Sequence, residues 1–439
     1  MNGHNLLLVY FLLGFVQVQG GNILFLSPVP SPSHHIFNRV LGVGLAEKGH
    51  NVTFLSADLD KRPIPNLHYV HLEKTYETIK AGQEEIDILA FAELTAYQYL
   101  FVAADYFELV CTGNLASKGI DELLNYPKDF KFDVVIYDFT FGPCVLPLLA
   151  RFNYPVLISI TAFSNPPYTT DLVGGQKYPG YLPHYMLNIG PKEMNLMDRI
   201  NNHFLFIVDW MTRRFSANTK MEKLAREKFS FDFPSMSALQ ERTALIFVNS
   251  DNSFDLVEPL EPNMIQIGGM QITPPKPIAK DLEDFISRGK KGTVLMSLGT
   301  NVKSNMLGNE HQKRNLNKAL RSGMAVKVDF TDFTLENFKS KINTVLEDSK
   351  YSQKALHISK LFRDKPQKPL DVAIWWTEFA MRNPNLDHMR SKTLTSGWFV
   401  SRSYDVILLF IVLLHLFVFA IKKVVTFMRC KSNKKTKKE

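Results

Sequence analysis

His34 follows closely on a short apolar run, residues 22–26 (NILFL). Such a run, bounded by Gly on one side and Ser-Pro on the other, reads as a buried parallel strand. In open parallel sheets the ligand crevice lies beyond the carboxyl ends of the strands. A histidine there is well placed to act as a general base. Asp138 closes a second apolar run, residues 134–137 (VVIY). If the two strands are neighbours, Asp138 can hold the His34 imidazole in one tautomer and stabilise it when protonated. A turn histidine and a helix N-cap aspartate would fit the same spacing, so the residues alone leave both readings open.

A third group is Ser297, Leu298, Gly299 and Thr300, at the end of another apolar run. Backbone N–H groups and hydroxyls at a strand-to-helix turn can hold a phosphate, and an ordinary turn fits equally well. The segment lacks the Gly-Lys-Ser/Thr of a phosphate-binding loop and the spacing of a dinucleotide fingerprint. No HExxH, GxSxG or Cys/His metal pattern occurs anywhere in the chain. Three cysteines among 439 residues exclude a disulfide scaffold, a zinc-finger array and an iron–sulfur protein. Cys111 and Cys144 can pair or simply be buried. Cys430 stands in the basic tail, where palmitoylation would suit it.

The elements that must position these residues form a strand–helix–strand opening. Residues 35–48 have helical spacing, with Leu41 and Leu45 on one face, Gly49 stops them, and residues 51–56 form the next strand. Helix is expected within 81–124, strand at 133–137, helix at 143–152 and strand at 156–160. Residues 164–191, rich in Pro, Gly and Tyr, read as a long loop. Helices near 198–215 and 221–229 and a strand at 243–250 follow. Residues 259–277, with five prolines and Gly268-Gly269, are the linker candidate. A short helix at 281–287 and a strand at 293–298 come next. With 33 phenylalanines there is ample material for cores and apolar pockets.

The net charge of +8 sits almost wholly in residues 422–439, which carry eight Lys/Arg and one Glu. The rest of the chain is close to neutral, which excludes a nucleic-acid partner, since such a binder carries its excess on a folded face. Residues 6–16 (LLLVYFLLGFV) are too short to span a bilayer and read as a secretory signal ending near Gly20. Residues 406–421 (VILLFIVLLHLFVFAI), extended by Tyr404 and by snorkelling of Lys422 and Lys423, read as a membrane helix. Its central His415 is expected neutral and tolerated. The positive-inside rule puts the Lys-rich tail in the cytosol and the body in the lumen. Lys435 and Lys437 fit a dilysine-type retrieval address for the endoplasmic reticulum. Asn51, in the sequon NVT, is a glycosylation candidate.

Taken together, several segments resemble the animal membrane-bound UDP-glycosyltransferases, the UDP-glucuronosyltransferase family, and insect members most. These are residues 30–35 (PSPSHH), 47–53 (EKGHNVT), 132–138 (FDVVIYD), 292–300 (GTVLMSLGT), 361–364 (LFRD), 368–371 (KPLD) and the terminal anchor. The resemblance implies an α/β fold of GT-B type with two Rossmann-like domains. In it residues 1–20 are a signal peptide and 21–262 bind a small lipophilic acceptor. Residues 263–400 bind the UDP-sugar, 404–428 span the membrane and 429–439 form a cytosolic tail. It further implies inverting transfer of glucose or glucuronic acid to an acceptor hydroxyl, as in detoxification of lipophilic molecules. UDP-sugar is the co-substrate, and neither a metal nor another cofactor takes part. His34, sixteen residues before the His50 of the Gly-His turn, matches the family's base, and Asp138 its partner. Ser297, Gly299 and Thr300 match a turn facing the donor phosphates.

The donor signature that follows this turn in the family is not found. There is no Trp-x-Pro-Gln, no His-Gly-Gly or His-Ser-Gly turn, and no sugar-gripping Asp-Gln; the four tryptophans are Trp210, Trp375, Trp376 and Trp398. Residues 309–321, read as a first helix, run straight into 322–328 (SGMAVKV), read as a strand from late in the domain. Residues 292–363 hold about two βαβ units of some 30 residues each, too few for a doubly wound donor domain. The expectation is therefore an internally truncated donor half. The function reading is a sugar-transferring enzyme; the alternative is a non-catalytic relative that binds acceptors or pairs with full-length enzymes.

Overall fold

The computed structural model describes residues 20–82, 94–187, 193–289, 293, 295, 319–328 and 334–435. The chain divides into a body up to Met389 and a second unit from Arg390 onward. The expected signal segment, residues 6–16, lies outside the described residues. So do most of the strand at 293–298 and of the helix at 309–321.

The body is built on a seven-stranded, all-parallel sheet in the order β3-β2-β1-β4-β5-β6-β7. The strands are β1 (Asn22–Ser27), β2 (Asn51–Ser56), β3 (Leu67–His71), β4 (Val134–Asp138), β5 (Val156–Thr161), β6 (Thr243–Val248) and β7 (Met264–Gln266). The five central strands β2, β1, β4, β5 and β6 are short, mostly apolar runs buried on both faces, the pattern a parallel sheet covered by helices requires, and the edge strands β3 and β7 are only partly buried. One apolar cluster, with Leu24, Leu26, Leu55, Val135 and Tyr137, lies on one face; the other, with Ile23, Phe25, Phe54, Val134 and Ile136, lies on the opposite face. The alternation of residues between the clusters is the period-2 pleat at work.

Nine helices matter to the argument. They are α1 (Pro32–Glu47), α2 (Ala96–Ala116), α3 (Leu196–Met211), α4 (Asn218–Lys228), α5 (Lys280–Ser287), α6 (Leu335–Glu347), α7 (Ser349–Arg363), α8 (Pro369–Arg382) and α9 (Tyr404–Lys435). Helix α1 begins on Pro32, whose fixed φ suits the first turn. It buries Phe37, Leu41 and Leu45 at four-residue spacing and ends at Gly49, where φ is +93°. Helix α8 returns to pack on α1, β4 and β5, burying Ala373, Ile374, Thr377 and Ala380.

Two expectations change and one open alternative is settled. The Pro-rich stretch 259–277 is not wholly a linker, because its Met264–Gln266 extends the sheet beside β6. Residues 322–328 form a turn and irregular chain, not a strand. A strand needs a neighbour for its backbone groups, and among the described residues no strand follows Gln266. Cys111 and Cys144 are disulfide-bonded, their Cα atoms 5.6 Å apart. The spacing suits the bond, which clips α2 to the turn after β4. Closing a loop of that length stabilises a fold by about 2–4 kcal/mol.

The second unit contains α9, of which Tyr404–Phe427 is long and apolar enough to cross a membrane. His415 Nδ1 lies 2.8 Å from the carbonyl oxygen of Ile411, to which it donates within the helix itself.

Candidate functional site

β1 and β4 are adjacent and in register, Leu26 beside Tyr137. This is the point where the strand order reverses, with β2 and β3 running out one way and β5 to β7 the other. The crevice at the carboxyl ends of β1 and β4 is therefore the topological switch point, the place such sheets use for ligands. His34 enters it from the first turn of α1 and Asp138 from the last residue of β4.

The two side chains meet there. His34 Nδ1 stands 2.8 Å from Asp138 Oδ2, with His34 5% exposed and Asp138 fully buried. Asp138 collects three further hydrogen bonds. The Asn38 amide donates to Oδ2 at 2.8 Å, and the Thr140 hydroxyl and backbone N–H donate to Oδ1 at 2.6 and 3.1 Å. Asn38 also donates to the Ser27 hydroxyl at 3.0 Å. Burial alone would raise the Asp138 carboxyl. His34 beside it and the hydrogen bonds from His34, Thr140 and Asn38 outweigh that and hold it below the usual carboxylate range.

An ionised Asp138 only accepts, so His34 Nδ1 donates to it. The ring is walled by Phe163, edge-on at 5.2 Å, and by Phe141 at 6.5 Å. Phe141 in turn stacks on Phe107 of α2, on the turn that the disulfide clips. The arrangement is an imidazole with Nδ1 fixed by a buried carboxylate, leaving Nε2 as the nitrogen that can exchange a proton with a ligand.

Asn38 and Thr140 were not singled out from the sequence. Asn38 had a signal, because it lies one helical turn after His34 and shares its face. Thr140 had none beyond its nearness to Asp138. His35 faces elsewhere: it is buried against Phe54 and Tyr69, with Nδ1 3.3 Å from the Ser56 hydroxyl. Ser297, Gly299 and Thr300 lie outside the described residues. Asn51 is exposed at the start of β2, its amide 3.3 Å from Asn22 Oδ1.

A cavity of about 370 Å³ begins at Ser164, the residue after Phe163. Pro167, Tyr178, Leu182 and Phe206 give it apolar walls, and Lys177, Glu258 and Arg321 give it polar ones. Burial raises the Glu258 carboxyl there in spite of a hydrogen bond from Asn165. Beneath, Asp209 pairs with Arg213 at 2.9 Å. Burial opposes ionisation of Asp209, but Arg213 and His184 override it and hold the carboxyl at about 2.

These depressed carboxylates set an acid limit. Their stabilisation is complete above the unfolded aspartate value near 4 and is lost as pH falls through the folded values. Denaturant melts between pH 5 and pH 2 should therefore show falling stability, with Asp209 alone contributing about 2 kcal/mol. A stability that stays flat down to pH 2 would contradict the assigned pairs.

Comparison with known proteins places these features in context. The family model described as UDP-glucoronosyl and UDP-glucosyl transferase matches in two pieces, residues 51–310 and 306–439. UDP-glucosyltransferase 2 of Dactylopius coccus is 25% identical over 500 aligned positions, covering 95% of this chain and 95% of that protein. UDP-glucuronosyltransferase 2B7 of Homo sapiens is 25% identical over 487 positions, covering 90% and 91%. Among solved structures, the calicheamicin glycosyltransferase CalG4 is similar at a TM-score of 0.47 and 15% identity, covering 83% of this chain and 99% of that one.

Proposed function

The chain belongs to the UDP-glucoronosyl and UDP-glucosyl transferase family, and on that premise we propose that His34 is the base that activates its acceptor. The family reaction is transfer of a sugar from a UDP-sugar. In this reading a small lipophilic acceptor lies beyond Phe163, its hydroxyl facing His34 Nε2. The hydroxyl proton passes to Nε2 while the oxygen forms a bond to the anomeric carbon. The bond from that carbon to the UDP oxygen breaks, and UDP leaves with the electron pair, so the centre inverts. Asp138 stabilises the imidazolium, and Asn38 and Thr140 keep Asp138 oriented. The observation that carries this is the 2.8 Å contact between His34 and a buried, four-fold hydrogen-bonded Asp138 at the switch point.

Asp138→Asn tests the pair. The amide keeps the volume and loses the charge, so it cannot stabilise the imidazolium. In the chain whose donor half is completed with the corresponding block of the Dactylopius coccus relative, transfer of labelled sugar to a phenolic acceptor should fall by at least about 10²-fold with acceptor binding unchanged. An unaltered rate would remove Asp138 from the mechanism.

The donor side stands apart. The two matched pieces of the family model meet at residues 306–310, where the donor signature is missing from the sequence. The 500-position alignment is longer than the 439 residues available, so part of the Dactylopius relative faces gaps in this chain. Helices α5, α6 and α7 bury no residue, although Leu282, Phe285, Leu335, Leu346 and Leu356 are all more than half exposed on them. Amphipathic helices of this kind normally cover a sheet. These observations support a donor domain lacking its central block, with the sugar-transferring ancestry intact and the acceptor half complete.

The anchor, the disulfide and the exposed sequon at Asn51 support a body on the oxidising side of a membrane, as in the lumen of the endoplasmic reticulum.

A further inference from the structure

Helix α3 is turned inside out. Its buried face carries Asn202 and Asp209 alongside Leu205 and Phe206. Its exposed face carries Leu196, Ile200, Phe204, Ile207 and Met211, each between 44% and 64% exposed, with Trp210 beside them. Spacings of four, four, three and four place those five side chains in a single stripe. The helix cannot rotate to hide it. Asn202 accepts from the backbone N–H of His184 at 2.7 Å and donates to the carbonyls of Pro179 and Leu182 at 2.7 and 2.8 Å. Asp209 is held by Arg213. Rotation would break these bonds and bring Leu205 and Phe206 out, so the polar residues lock the apolar stripe outward.

We propose that this stripe docks on an anionic lipid surface. An exposed run of large apolar side chains marks a binding face, and three features select lipid as its occupant. The exposed charged residues from Leu196 to Phe215 are Arg199 and Arg214, both cations, of which Arg214 pairs with Glu241 at 3.5 Å and Arg199 is left to meet an anion, while the acidic Asp198 and Asp209 are used in capping or turned inward. A helix with an apolar stripe that includes Trp and Phe, flanked by cations, is the pattern of one lying in a bilayer interface. The same chain carries the membrane helix Tyr404–Phe427, joined to the body by residues 390–403. Fully extended, that segment reaches at most about 50 Å, so the body is confined near the bilayer and gains the effective concentration of a tethered ligand. The proposal rests on the reading of Tyr404–Phe427 as an anchor.

The test uses the full chain with Cys430→Ser, reconstituted in phosphatidylcholine vesicles doped with phosphatidylserine. Single cysteines at Phe204, at Lys128 on the body and at Leu413 in α9 carry an environment-sensitive fluorophore, with spin-labelled lipids as quencher. The expected result is loss of fluorescence at positions 204 and 413 and none at 128. Quenching at 413 without quenching at 204 overturns the proposal and leaves the anchor standing. No quenching at either position overturns the anchor and the proposal with it. A blue shift at 204 that rises with protein concentration and is insensitive to lipid quencher assigns the stripe to a second copy of the chain and overturns the lipid assignment. Ile207→Glu together with Phe204→Glu gives an independent arm. Labelled at Trp210, the variant should lose quenching while its thermal unfolding stays cooperative, and retained quenching also overturns the proposal.

Discussion

Once the donor half is completed by grafting the corresponding block of the Dactylopius coccus relative at residues 306–310, His34→Ala is expected to lower kcat by roughly 10²–10⁴-fold. Acceptor affinity should change little. The imidazole is one wall of the crevice, and Phe163, Phe141 and Tyr178 remain to define the apolar surface. Steady-state rates beside acceptor titration separate the two quantities. His35→Ala supplies the contrast. His35 is buried against Phe54 and Tyr69 and bonds to Ser56, so its loss should lower stability and leave kcat per folded molecule nearly unchanged. Burial also depresses the His35 imidazole, despite Asp58 and Asp60 nearby, which leaves it neutral and structural. The base assignment fails if His35 proves essential and His34 dispensable.

The pair was legible because two short apolar runs end in residues of complementary chemistry, and parallel sheets gather strand ends on one side. What the sequence could not say was that β1 and β4 are neighbours. That depends on the crossover from β3 back across β1, which is set by how the helices cover both faces. Asn38 escaped notice for a related reason. It reads as a polar interruption of an apolar helix face, and only the position of Asp138 shows that the interruption is satisfied. Met264–Gln266 was hidden among prolines; it joins the sheet as an edge strand, the position in which flanking prolines do no harm. The pairing of Cys111 with Cys144 depends on α2 crossing the turn after β4, a contact of 33 residues' separation that no local pattern records. In α3 the helical period was plain, but period alone does not reveal which face is inward. The usual rule places the apolar stripe inside, and here Asn202 and Asp209 reverse it.

The chain as it stands is expected to bind UDP no more tightly than a Kd of about 1 mM, equivalent to about −4 kcal/mol, and to transfer no sugar. The argument is physical as well as comparative. A nucleotide-sugar is fixed by several polar groups converging on a concave site built at strand ends. Among the described residues beyond Gln266 no strand exists to supply such a site. Helices α5 to α7 expose the leucines and phenylalanine that a donor sheet would cover. Ser297, Gly299 and Thr300 lie outside the described residues, and the single phosphate-facing turn expected of them from the sequence would anchor a phosphate without orienting uracil, ribose or sugar. Orientation is the larger contribution, because holding donor and acceptor in near-attack geometry accounts for about 7–11 kcal/mol of such a barrier. His34 and Asp138 then stand ready with no electrophile in place. Isothermal titration with UDP, beside transfer assays on phenolic acceptors, should show heats near baseline for this chain. The grafted chain should show both binding and turnover. Micromolar binding by the ungrafted chain, or turnover abolished by His34→Ala in it, would mean that the shortened donor half still assembles a working site.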